Sequence, residues 1–143
     1  MNNGKTWNEI SLIASFNISP MYPSSNLYEV RSNINSLDKI EMIFYYRNPN
    51  DINPHHLLVI PGDKEEKITE INKTWTGDIP INLISVKVSL EEAIEKVKDL
   101  NLTHVSLRSP INLFTSSPKY MFGNNYTDYK VYVDSITGEV TLI

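Results

Sequence analysis

Apolar residues recur along this chain in two periods, and the period switches from segment to segment. After Ser89, the residues Leu90, Ala93, Ile94, Val97 and Leu100 return every three or four positions, while Glu91, Glu95, Lys96, Lys98 and Asp99 fill the gaps. That spacing predicts an amphipathic helix with one buried face. Ser89 and Glu92 have the spacing of a capping box, in which the serine oxygen accepts an orphan amide and the glutamate reaches back.

Around this helix the period is two. Residues 81–88 put Ile84, Val86 and Val88 on one side, residues 103–108 do the same with Val105 and Leu107, and residues 129–134 set Tyr129, Val131 and Val133 opposite Lys130, Tyr132 and Asp134. A further segment over 112–122 is broken at Ser116-Ser117-Pro118, because proline has no amide to give a ladder. Asp134-Ser135-Ile136-Thr137-Gly138 reads as a tight turn in which Gly138 takes a positive φ, and 139–143 returns as the last strand. The expected fold class is α+β, an antiparallel β-sheet with one main helix on one face in the order β-α-β-β-β.

The first half is β-rich in expectation. Residues 9–18 alternate Ile10, Leu12, Ala14, Phe16 and Ile18, which favours a strand over a short helix. Pro20 and Pro23 mark a loop, and 27–34, 39–47, 56–60 and 67–75 read as strands. We divide the chain into a β-rich region, 1–78, and a module, 79–143, within one compact body. Segments 40–60 and 129–143 share the order strand, polar turn, strand, so a first half that is a diverged copy of the second stays open.

Composition narrows the function classes. With 143 residues, 41% apolar and 21% charged, the chain suits one folded domain. It has no cysteine, which excludes disulfides, thiolate zinc sites and cysteine nucleophiles. A net charge of −4 with scattered basic residues argues against nucleic acid as a partner. The apolar runs are too short for a transmembrane segment, and the first residues lack the pattern of a secretory signal. Asn17, Asn72, Asn101 and Asn125 head glycosylation-type tripeptides, which chance supplies in so asparagine-rich a chain.

No cofactor or catalytic site is expected: there is no glycine-rich phosphate loop, nucleophile elbow or helical histidine pair. His55 and His56, with Asp51 nearby, fall on opposite faces of a strand and so share no metal ion, and His104 opens another strand. Asp134 and Glu139 flank the turn, where Asp134 fits a capping role better than a cation site.

Two features in order, Leu90-Glu91-Glu92-Ala93-Ile94 on the capped helix and Tyr129-Lys130-Val131-Tyr132-Val133-Asp134-Ser135-Ile136-Thr137-Gly138-Glu139-Val140 in the closing hairpin, resemble the PepSY family. The resemblance covers 81–143 and departs from the family in a longer 111–127 segment. It implies a non-catalytic module that binds proteins, restrains a peptidase or senses at the bacterial envelope. It also implies an extracytoplasmic location if an export signal has been removed; otherwise the chain is cytoplasmic. The family carries no universal catalytic residue to transfer.

The remaining candidates are aromatic. Tyr120, Phe122, Tyr126, Tyr129 and Tyr132, with Tyr45 and Tyr46, fall on strands or their loops, and tyrosine offers large contact area with a hydroxyl. We expect the first five to form a protein-binding edge around the loop 116–128. The rival expectation is a small-molecule or lipid pocket between the two halves.

Overall fold

A computed structural model describes residues 6–46, 55–62, 64–71, 79–109 and 117–143. The chain runs α1 (Trp7–Met21), β1 (Asn26–Asn33), β2 (Glu41–Tyr46), β3 (His55–Ile60), β4 (Lys67–Ile71), α2 (Leu90–Val97), β5 (His104–Arg108), β6 (Lys119–Gly123), β7 (Tyr129–Asp134) and β8 (Val140–Leu142). All strands join one antiparallel sheet of eight, in the order β4-β3-β2-β1-β5-β6-β7-β8. The fold class is therefore α+β, and the described residues hold two α-helices where one was expected.

Two segments differ from expectation. Residues 9–18 belong to α1, because the Thr6 hydroxyl accepts the Glu9 amide and the Glu9 carboxylate turns back to the Thr6 amide, a complete capping box. Trp7, Ser11, Ala14 and Ile18 are its buried stripe, spaced four, three and four apart, whereas Phe16 is 58% exposed. The apparent alternation was completed by Phe16, an exposed apolar residue between the buried Ala14 and Ile18.

Residues 81–88 form no strand. Asn82 caps a short 3-10 turn, Leu83–Ser85, by accepting from the Ile84 amide. The Ile81 amide donates to the Leu27 carbonyl, while those of Lys87 and Val88 both donate to the Ser135 carbonyl. The segment thus ties β1 to the turn after β7, while β5 takes the place beside β1. The second half accordingly reads α-β-β-β-β. The parts of the expected strands at 72–75 and 112–116, and Asp51, lie outside the described residues.

The remaining strands fall where alternation places them. One face carries Val30 opposite Met42 and Leu107, Val105 opposite Phe122, and Tyr120 opposite Val133. These join Trp7, Ala14 and Ile18 of α1 and Leu90, Ala93 and Val97 of α2 in a single apolar cluster. Both helices therefore cover the same face, and one core runs through both halves. The halves meet as hydrogen-bonded strands, with β1 antiparallel to β5 from Val30 opposite Leu107 to Asn33 opposite His104.

Candidate functional site

The second face of the sheet carries no helix among the described elements. Its middle row follows from register: Glu41, Arg31, Ser106, Met121, Tyr132 and Thr141 stand side by side from β2 to β8. Charged and aromatic side chains meet on this row and hold one another in place.

Arg31 is the centre of one group. Its Nε donates to Glu41 Oε1 at 3.1 Å, and its guanidinium lies 4.8 Å from the centroid of the Tyr126 ring. Tyr126 in turn meets the His104 ring edge-on at 4.7 Å. The loop that carries Tyr126 is set by Asn125, whose Oδ1 accepts from the Thr127 and Asp128 amides at 2.9 and 2.7 Å. Gly123 allows that loop to close, since a Cβ there would stand 2.2 Å from the Asp128 carbonyl oxygen.

Glu29 lies at the centre of a second group. It is 5% exposed and accepts from the Ser106 hydroxyl at 2.9 Å, and that hydroxyl accepts from the Tyr129 hydroxyl at 2.8 Å. The Arg108 guanidinium lies 5.9 Å from the Tyr129 ring. Burial raises the Tyr129 hydroxyl pKa, with the Ser106 hydrogen bond opposing and the Glu29 charge reinforcing the rise. Burial likewise raises that of Tyr126, against the pull of Arg31. Both rings present neutral hydroxyls at neutral pH. Ser106 is wholly enclosed, its hydroxyl donating to the Glu29 carboxylate and its oxygen accepting from Tyr129, an arrangement that fixes Glu29 and leaves the Ser106 hydroxyl no open approach.

Toward β3 the face is aromatic. Tyr28 meets Tyr45 edge-on at 5.7 Å, and Tyr45 meets His56 at 5.6 Å. Toward β7 it closes with a buried ion pair: the Lys119 ammonium donates to Asp134 Oδ2 and to Ser117, its side chain only 3% exposed.

The expected binding residues divide between the two faces. Tyr126, Tyr129 and Tyr132 belong to this second face or its rim and are partly buried; Arg31 and His104 hold Tyr126, Ser106 holds Tyr129, and Tyr132 is placed by its register between Met121 and Thr141. Tyr120 and Phe122 are fully buried under the helices, so they offer no contact surface. Burial also explains why Tyr120 carries a hydroxyl: it donates to the Val88 carbonyl at 2.5 Å and accepts from Asn8 Nδ2 at 2.8 Å.

His55 and His56 point to opposite faces, opposite Tyr46 and Tyr45, and His55 bonds Glu70. No group of three metal-ligating side chains occurs among the described residues. Asp134 Oδ1 accepts from the Ile136 and Thr137 amides at 2.8 and 3.0 Å, which makes it the cap of the β7–β8 turn. Sequence reasoning passed over Glu29, Arg31 and Arg108. Their period-two spacing with Asn33 on one strand and with His104 and Ser106 on another was visible, but nothing in it shows that β1 and β5 are neighbours.

No family model, curated protein or solved structure matches the chain.

Proposed function

We propose that this chain is a non-catalytic protein-binding protein, built from two PepSY-like units, that grips its partner with the second face of the sheet, opposite α1 and α2, and restrains a peptidase. The observation that carries the reading is the Arg31 group: a guanidinium held by Glu41 beneath the Tyr126 ring, on a half-buried surface where Tyr28, Tyr45, Tyr129 and Tyr132 also stand. Rigid tyrosines and a pre-oriented arginine bind proteins at low entropic cost, because few rotamers are left to freeze.

The two-unit reading is supported by order. Each half runs helix then four antiparallel strands, each helix opens on a capping box, Thr6 with Glu9 and Ser89 with Glu92, and the units meet through their first strands. The resemblance of 81–143 to the PepSY family supplies the peptidase class of partner, and with it a place at the bacterial envelope.

The test is direct inhibition. Peptidases of the native cells, captured on the wild-type chain, are assayed with the wild type and with a Tyr126→Ala/Tyr132→Ala variant, whose fold circular dichroism checks; both replaced rings keep part of their surface in solvent. Inhibition by the wild type that weakens at least tenfold in the variant supports the reading. Captured peptidases that are inhibited equally by both, or cleave unimpeded, would sink it.

A further inference from the structure

The outer edge of β8 differs from the outer edge of the sheet at β4. On its inner side, the Asp134 amide donates to the Glu139 carbonyl and the Ile143 amide to the Lys130 carbonyl, each at 2.9 Å, with Thr141 facing Tyr132 between them. Bonded positions alternate along an antiparallel strand. The backbone groups of Glu139, Thr141 and Ile143 therefore turn toward β7, and those of Val140 and Leu142 turn outward.

The side chains at this edge are apolar and in water: Val140 is 42% exposed, Leu142 73%, Ile143 66% and nearby Ile136 43%. No charged side chain occurs from Val140 to Ile143; Glu139 stands just before the strand. By contrast, β4 carries Lys67 and Glu70, and Glu66 just before it accepts from Asn17 of α1 at 3.0 Å. Charged side chains are the usual guard against edge-to-edge pairing, and β8 has none.

We propose that β8 pairs with the β8 strand of a second copy of this chain, antiparallel and centred on Thr141. The outward backbone groups lie two residues apart and are symmetric about Thr141, so a two-fold axis there sets Val140 of one copy opposite Leu142 of the other, each pair exchanging both backbone bonds. Val140 and Leu142 share the face of Val133 and Val131, so the exposed apolar side chains of the two copies meet on one side. Such a contact is self-complementary and closes as a dimer rather than growing into a fibre. It is also short, and so weak and concentration-dependent. Pairing joins two sheets edge to edge and brings two copies of the second face into one assembly, independently of what those faces bind.

Sedimentation equilibrium on the 143-residue chain, from about 1 µM to about 1 mM, tests this. Three forms are compared: the wild type, Val140→Lys/Leu142→Lys, and Val140→Lys/Leu142→Glu, each checked for fold by circular dichroism. The wild type is expected to dimerise with concentration. The double-lysine form should stay monomeric, because its ammonium groups face each other across the axis. The lysine–glutamate form should dimerise again, in a salt-sensitive way, because each ammonium then faces a carboxylate of the other copy. A wild type monomeric throughout, a double-lysine form that dimerises like the wild type, or a lysine–glutamate form as monomeric as the double-lysine one overturns the proposal. Slowed amide exchange at Val140 and Leu142 only when a different protein is added overturns it too.

Discussion

The Leu90 amide, first in α2, donates to Asn8 Oδ1 of α1 at 3.0 Å. The reverse contact is also present, the Trp7 amide of α1 donating to Glu91 Oε1 of α2 at 3.5 Å. Each helix start is thus completed by a side chain from the other, above the seam where β1 pairs with β5. Two orphan amides find partners that neither half supplies alone.

Asn8 also donates to the Tyr120 hydroxyl, so it serves α1, α2 and β6 together. Replacing Asn8 with Ala should lower unfolding stability by about 1–3 kcal/mol, since polar groups are left unpaired. A urea midpoint equal to that of the wild type would contradict the account.

Tyr120 sets a high-pH limit. Burial pushes its hydroxyl well above the ordinary value near 10, with the Asn8 hydrogen bond opposing and Glu91 and Glu92 reinforcing. The raised folded value means that its contribution to stability is complete below about pH 10 and falls as pH rises beyond the unfolded value. Tyr120→Phe should flatten that fall while lowering neutral stability by about 1–3 kcal/mol, because the Val88 carbonyl loses its donor. Denaturant melts between neutral pH and about pH 11 check both; an unchanged alkaline slope would refute the assignment.

Asp134 acts at the other end of the scale. Burial pushes its carboxyl up, but hydrogen bonds from Lys119, the Thr137 and Ile136 amides and Ser117 outweigh this and hold it well below the usual carboxylate range. The depressed folded value gives stability that is present above the unfolded value near 4 and is lost as pH falls below it. Asp134→Asn should cost about 1–3 kcal/mol at neutral pH, leave the Lys119 ammonium buried without its counter-charge, and weaken the loss of stability in acid. The pH profile of the melting temperature is the readout, and a variant profile parallel to that of the wild type would count against it.

Gly123 connects the fold to the candidate surface. A Cβ would collide with the backbone of Asp128, so Gly123→Ala should cost about 1–3 kcal/mol and displace the loop bearing Tyr126 from His104. Shifts of the His104 ring resonances in proton NMR report the displacement; unchanged shifts at full stability would rule it out.

Gly138 shows how far local reading reached. Its place in a turn demanded the positive φ it adopts, 78°, and Asp134 caps that turn through amides two and three residues on. The capping box at Ser89 and the buried Leu90, Ala93 and Val97 were equally legible, because the residues that decide them lie within one or two helical turns. So were the strands β1, β2, β3, β5 and β7, except that a register shift after Phe122 turns Tyr129 to the side of Tyr132, away from Val131 and Val133. The second face was legible only as scattered polar positions, since Arg31 meets Glu41 and Tyr126 by folding and not by spacing.

The sequence by itself determined the secondary-structure period of most segments, the capped helix α2, the turn at Gly138 and the absence of cysteine chemistry. The capping box of Thr6 and Glu9 that opens α1 was also local, though the alternation after it pointed to a strand; tertiary structure alone decided that 81–88 bridges rather than pairs, that β1 lies against β5, and that Tyr120 and Phe122 face the helices while Tyr126 faces away. Period records which side chains share a side; it does not record what lies against that side. Phe16 and Ile18 are both apolar, but only Ile18 meets the sheet. Where a long-range neighbour chooses between two periods, or between two faces, the choice is made by packing, whose energy depends on residues far away in the chain.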